Sequence, residues 1–240
     1  MRIIVCENYD EMSEKGARLF AGQIMLKPES VLGFATGGTP VGMYKKLAEL
    51  YEKGETDFSK VTSFNLDEYY PISHENSRSY SYYMKHMLFD RVNIRPENTY
   101  IPDGMCKDPK AECERYEKLI KEKGGIDIQL LGIGRNGHIG FNEPDSALSS
   151  VTHVAELSES TICANSRFFD NIEDVPKKAI TMGVATILQS RKIVMLVSGK
   201  EKRGVMKNMM SDEVTTENPA TMLKVHPDAI IICDRAAYGA

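Results

Sequence analysis

The sequence predicts an α/β protein built on a doubly wound, mainly parallel sheet with helices on both faces. Two observations predict it. Short apolar runs of strand length alternate along the chain with longer stretches of helical periodicity. Several of those runs end abruptly in loops rich in Gly, Thr, Asp or His, and strand ends of this kind carry the chemistry of such sheets. No internal repeat, low-complexity tract or Pro/Ser-rich linker interrupts the alternation, so a single domain over residues 1–240 is expected.

Taken in order, Ile3 to Val5 is the first strand, and Asp10 to Leu26 is a helix with Met12, Leu19, Phe20 and Ile24 on its apolar side. Val31 to Ala35 is the next strand. It runs into Thr36-Gly37-Gly38-Thr39-Pro40, where Thr39 as N-cap and Pro40 at the first helical position start a helix reaching about Lys53. Val61 to Leu66 is a third strand and ends in the loop Asp67-Glu68-Tyr69-Tyr70-Pro71. Ser79 to Asp90 and Lys110 to Lys123 read as helices. Ile126 to Leu131 is a buried strand that opens into a loop with four glycines, a histidine, two asparagines and a glutamate between Gly132 and Pro144. Beyond it, Val151 to Leu157 is a candidate strand and Lys178 to Leu188 contains a helix. Ile193 to Val197 is a strand, Ser198-Gly199 begins a helix running to about Met210, and Ala229 to Cys233 is the last strand.

Composition narrows the function. The 30 basic and 34 acidic residues leave a formal charge of −4, which gives no electrostatic case for nucleic acid or an anionic membrane as partner. No run has the apolar length of a membrane helix, and Met1 to Val5 is too short for a signal peptide, so a cytoplasmic location is expected. The five cysteines are scattered, with no Cys-x-x-Cys pair and no histidine cluster at zinc spacing. They read as idle thiols in a reducing compartment, Cys113 partly exposed on its charged helix.

Four loops stand at strand ends. Thr36 to Pro40 offers free backbone N–H groups at a helix start, a ready anion site; Thr39 stands where a Walker A loop needs Lys, and a purely structural turn is the alternative. Asp67 and Glu68 are placed either as a helix cap or solvated loop acids, or as a general base for a carbon acid. In the Gly132–Pro144 loop, Asn136 and Glu143 flank His138, and either could orient its ring. Gly132-x-Gly134-x-x-Gly137 spells a dinucleotide fingerprint, but Gly140, Asn142 and Pro144 follow where a helix should begin. Ser198 to Lys202 is the fourth loop, where a lysine at a helix start opposes the dipole unless an anion binds.

Together these segments resemble glucosamine-6-phosphate deaminase. The matching stretches are Ala35 to Pro40, Asn65 to Tyr69, Ser79-Tyr80 with Tyr83-Met84, Gly132 to Pro144, Ala164 to Phe169, and Ser198-Gly199 with Lys202. They cover the chain from near its start to near residue 230. 6-Phosphogluconolactonase, which shares the fold and the phosphate loop, differs in the residue after Asp-Glu, here Tyr69, and in the run after Gly-His, here Ile139 to Pro144. The resemblance implies a modified Rossmann-like fold, a sugar-phosphate substrate, and conversion of glucosamine 6-phosphate and water to fructose 6-phosphate and ammonia without metal, pyridoxal or other cofactor. It implies Asp67 as proton acceptor for enolisation and His138 for ring opening, with Asn136 and Glu143 in support. Thr36, Gly37, Gly38, Thr39, Arg167 and Lys202 are implied as phosphate contacts.

Two departures from the family pattern carry expectations. Better-known members have Asp where this chain has Asn136. An amide there can fix the tautomer of the imidazole but cannot stabilise an imidazolium by charge. Allosteric, hexameric members carry basic residues at the places aligned with His153 and Ala155, and the C-terminus looks short. Hyperbolic kinetics, no activation by N-acetylglucosamine 6-phosphate, and a monomer or small homo-oligomer are therefore expected. A DNA-linked sugar-phosphate sensor is set aside on the negative charge and the presence of Asp67, His138 and Glu143; a nicotinamide enzyme is set aside with the fingerprint.

Overall fold

The computed structural model describes residues 1–239; Ala240, the last residue of the expected domain, lies outside the described residues, as does the side chain of Phe168. Among the described residues there are ten strands and eight α-helices, mostly alternating. In chain order they are β1 (Arg2–Cys6), α1 (Tyr9–Leu26), β2 (Val31–Phe34), α2 (Val41–Glu52), β3 (Thr62–Asn65), β4 (Asp67–Tyr70), α3 (Tyr80–Met87) and β5 (Thr99–Tyr100). There follow α4 (Pro109–Glu122), β6 (Ile128–Leu131), β7 (His153–Glu156), α5 (Glu159–Asn165), β8 (Lys178–Thr181), α6 (Val184–Leu188), β9 (Lys192–Val197), α7 (Arg203–Met210), β10 (Ala229–Asp234) and α8 (Arg235–Tyr238).

Seven strands form one sheet in the order β1-β10-β9-β6-β2-β3-β5, every pair parallel. From β2 the chain moves outward to β3 and β5, whereas from β6 it moves the other way to β9 and β10. The reversal therefore falls between β2 and β6, which pair at Leu32–Ile128 and Gly33–Gln129, and the crevice beyond their C-terminal ends is where such a sheet takes its ligand. The central strands are buried on both faces, as Leu32, Phe34, Leu130, Val194, Ile231 and Ile232 show, which explains why they read as unbroken apolar runs.

Several expectations need correction. The segment expected as a loop after the third strand is β4, and it belongs to a second, antiparallel sheet β4-β8-β7. Asp67 and Glu68 disguise it, since acids are depleted from strands, yet Asp67 pairs with Thr181 and Tyr69 with Ala179. The stretch Lys178 to Leu188 contains that strand partner as well as α6. Thr39 is not an N-cap: α2 starts at Val41 with Pro40 before it and no side-chain cap. The helix after Ser198 begins with a 3₁₀ turn over Lys200–Lys202. Cys113 is buried, and burial pushes its thiol up to about 11; the exposed cysteine is Cys163.

One carboxylate ties the N-terminal edge of this frame together. Asp127, buried just before β6, accepts from Lys27 Nζ and from the Val31 backbone N–H at 2.8 Å, and from Arg191 Nη1 at 3.1 Å. It joins the end of α1 to the starts of β2 and β9. Lys27 and Arg191 remain partly in water, so the backbone bond matters most. Asp127→Ala is expected to lower the unfolding free energy by about 1–3 kcal/mol, read from urea midpoints; a loss below about 0.5 kcal/mol would contradict this role.

Candidate active site

A cleft of about 960 Å³ opens at the β2/β6 crevice. All of the loops singled out in the sequence reach it: Thr36 to Pro40, Asp67, Gly132 to His138, Asn165 with Arg167, and Ser198 to Lys202. Glu143 stands behind His138.

The Thr36–Pro40 turn has Gly37 at φ +111°, a backbone shape that a side chain would strain. Its outer carbonyls are taken: Tyr83 donates its hydroxyl to Gly37 O at 2.7 Å and Tyr9 to Thr39 O at 3.0 Å. That leaves the turn's N–H groups for the cleft. Neither tyrosine was singled out from the sequence as a support of this turn.

Asp67 and Glu68 are both buried but differently held. Glu68 accepts from the backbone N–H groups of Tyr69 and Tyr80 at 2.9 Å and of Ser81 at 2.8 Å, and so pins the first turn of α3 to β4. No group donates to the Asp67 carboxylate among the described residues. Burial, with the neighbouring Glu68 charge adding to it, raises Asp67 to about 8. Burial also pushes Glu68 up to about 7 against the pull of its three N–H donors. A carboxylate this poorly solvated is a strong base once its proton has left.

The Gly132–Pro144 loop, called the opening loop because β6 opens into it, makes the other half. Gly134 N–H donates to His138 O at 2.9 Å and Gly137 N–H to Gly134 O at 3.2 Å, closing a tight turn over Arg135 and Asn136. The imidazole lies so close to Gly134 that a Cβ there would sit 2.3 Å from the ring. His138 Nδ1 lies 3.4 Å from Glu143 Oε2, a charge contact without good hydrogen-bond geometry. Asn136 does not reach the ring, as it was expected to. Its Oδ1 takes the His138 backbone N–H at 3.3 Å, and its Nδ2 donates to Glu143 Oε2 at 2.6 Å. Glu143 also receives the Thr161 hydroxyl from α5. Burial alone would raise Glu143, but His138, Thr161 and Asn136 outweigh it and hold the carboxyl at about 2. Thr161 was not foreseen because no element is expected from the sequence over residues 159–165; the structure places α5 there, with the Ser158 side chain capping it by accepting from Thr161 N–H.

At the far end Lys202 donates Nζ to Ile133 O at 2.6 Å. Burial lowers it to about 8; Glu201 opposes that, and Arg135 and Arg167 reinforce it. Arg167 lies beside Gly38, where a Cβ would meet its Nη2 at 4.0 Å. The sequence-based set is thus brought together: the Thr36–Thr39 turn, Asp67, Asn136, His138, Arg167 and Lys202 line one cleft, with Glu143 beside His138.

Fold and cleft together define an α/β enzyme with acid–base groups at the switch point of its sheet. Residues 10–231 match the model of a family described as glucosamine-6-phosphate isomerases/6-phosphogluconolactonase. Glucosamine-6-phosphate deaminase of Halothermothrix orenii is 56% identical over 99% of this chain and 98% of its own. That of Clostridioides difficile is 55% identical over 99% and 95%. A solved monomeric glucosamine-6-phosphate deaminase superposes with a TM-score of 0.98 at 44% identity, covering 100% of this chain and 99% of that one. A 6-phosphogluconolactonase from Thermotoga maritima shares the fold, with a TM-score of 0.77 at 20% identity over 97% and 99% of the two chains. The chain belongs to the glucosamine-6-phosphate isomerase/6-phosphogluconolactonase family, on the side of the deaminases, and is a hydrolase. Among the described residues no helix is long and apolar enough to cross a membrane.

The Asp67 environment makes a pH-dependent statement about stability. Folding raises its pKa, so the folded state binds that proton more tightly than the unfolded chain. The cost of the group is absent below its unfolded value near 4 and grows as pH rises to about 8. Asp67→Asn is therefore expected to be more stable than the native protein at pH 8, by on the order of a few kcal/mol, with the gain gone at pH 4. Paired unfolding curves at the two pH values check it; an equal effect at both, or a loss at pH 8, contradicts it.

Proposed function

We propose that residues 1–240 form one sugar-phosphate isomerase/deaminase domain that converts glucosamine 6-phosphate and water to fructose 6-phosphate and ammonia, in the breakdown of amino sugars. What carries this reading is Asp67: a buried carboxylate with no donor among the described residues, lining the cleft that Arg167, Lys202 and the Thr36–Thr39 turn also line. That is the arrangement for holding a phosphate at one end of a sugar and working on its C1–C2 bond at the other.

His138, with Glu143 beside it, moves a proton from the anomeric hydroxyl to the ring oxygen as the C1–O5 bond breaks. Glu143 stays ionised throughout the working range and offsets positive charge on the imidazole, so the neutral Asn136 serves by orienting Glu143 rather than the ring. Asp67 then takes the C2 proton of the open-chain aldehyde and returns it to C1, while a proton from the amino nitrogen passes to O1, leaving a C1 alcohol and an imine at C2. Water adds to C2 to give a carbinolamine. Its hydroxyl proton passes to nitrogen as the C2–N bond breaks, and ammonia departs to leave the ketone. The Thr36, Gly37, Gly38 and Thr39 turn, Arg167 and Lys202 hold the phosphate. The similarity to a monomeric deaminase supports a monomer or small homo-oligomer, and the proposed site of action is the cytoplasm. His153, whose imidazole is made less basic than usual by burial, and Ala155 lie in β7, so neither brings a standing positive charge for an activator's phosphate.

The test is ammonia release from glucosamine 6-phosphate with no added cofactor. The native protein is expected to be active with hyperbolic kinetics that N-acetylglucosamine 6-phosphate does not alter. Asp67→Asn is expected to lose at least about a thousandfold in kcat, the scale of removing an essential acid–base group. An inactive native protein, or an Asp67→Asn variant of native rate, would defeat the reading.

A further inference from the structure

The opening turn carries a charge that none of this chemistry uses. Arg135 and Asn136 occupy the two middle positions of the Gly134–Gly137 turn. Asn136 is spoken for by Glu143. Arg135 lies at the exposed tip, lines the same cleft, and has no ion pair or hydrogen bond among the described residues. Its charge reaches the half-buried Lys202 ammonium, which the Arg167 guanidinium also reaches. Three cations, Arg135, Arg167 and Lys202, therefore line one cleft and bear on one another. Glu201 is the acid among them, and its carboxylate folds back over Gly199, where a Cβ would sit 2.5 Å from Oε2. Lys202 is partly occupied as well, since it donates to Ile133 O at the root of the turn that bears Arg135.

Like charges gathered in a half-buried site repel one another, and only an anion of more than one charge relieves all three. We propose that Arg135 is a specificity-determining residue: its guanidinium contacts the substrate's phosphate dianion alongside Arg167 and Lys202, and thereby ties phosphate binding to the turn that positions Glu143 and His138. The proposal rests on the sugar-phosphate reading for its substrate, but the recognition of a phosphate dianion stands on the cluster itself. The guanidinium suits the role because its planar fork engages two phosphate oxygens at once, which a lysine in the same place cannot do. The four-residue turn then has one side chain at each end of the reaction, Arg135 toward the remote phosphate and Asn136 toward the ring-opening carboxylate. Contact at the phosphate draws the turn into the cleft and so steadies the Asn136–Glu143 bond while the sugar is bound.

Direct binding of inorganic phosphate, measured by calorimetry on the whole protein, separates this proposal from the substrate assignment. Arg135→Gln is expected to weaken phosphate about tenfold, equivalent to about 1.4 kcal/mol, and Arg135→Lys by a smaller factor. Affinity is also expected to fall less steeply with added salt in Arg135→Gln than in the native protein. In ammonia release, the same substitution is expected to raise KM for glucosamine 6-phosphate by a similar factor, with most of the loss in kcat/KM carried by KM. Native phosphate affinity in Arg135→Gln overturns the proposal, and so does a loss confined to kcat with phosphate binding unchanged. A native protein that binds phosphate in an Arg135-dependent way but releases no ammonia would sink the substrate assignment and leave the role of Arg135 standing.

Discussion

Asp67 is buried, without a donor among the described residues and beside a second buried acid, and much of the surrounding structure serves to keep it so. Removing a carboxylate from water without supplying donors disfavours its charged form strongly, and Asp67 is raised to about 8 accordingly. The neighbour that adds to this, Glu68, is itself held by three backbone N–H groups, two of them from the first turn of α3. β4 carries both acids and is fixed by pairing with β8 rather than with the main sheet. The small antiparallel sheet is thus the mount for the proposed base, and an aromatic cluster of Tyr69, Tyr80 and Phe141 closes around it. Tyr69 and Tyr80 fill the space where water would otherwise solvate the pair.

The main sheet supplies the rest of the geometry. Because the strand order reverses between β2 and β6, the anion turn after β2 and the opening loop after β6 face one another across a single crevice. The opening loop is a compact device in its own right. Its glycines let the His138 ring lie against backbone and close the turn at Gly137, and Lys202 fastens the root of the turn through Ile133 O. Asn142 anchors the other end by donating to Ile139 O and Met182 O at 2.8 and 2.9 Å. The two halves of the site therefore share no long flexible element, and their separation is set by sheet geometry.

The sequence was legible wherever burial and chemistry used different residue types. The central strands stand out because they are apolar on both faces, and the loops stand out because Gly, His, Asn and Asp gather at their ends. β4 was hidden because chemistry and structure coincide there: Asp67 and Glu68 are the strand, and acids argue against one. β8 was hidden by its shortness and by α6 following at once. Within the site, residue identities were readable but their partners were not. Which group receives the Asn136 amide is decided by the turn over Arg135 and by the placement of Glu143, neither of which is a local property. Thr161 lies on α5, a short helix that was not expected from the sequence, and its bond to Glu143 depends on where that helix packs.

The claim beneath all of this is that Asp67 is kept as a protonated acid in the empty site until its environment changes. The most direct measurement is its own titration, followed by carbon NMR of aspartate-labelled protein with Asp67→Asn as the assignment control. A carboxyl that titrates near 8 and vanishes in the variant is the result expected. A signal for Asp67 that titrates near 4, the ordinary aspartate value, would contradict the account: the carboxylate would then be solvated, and the structure around it would not be a device for making a base.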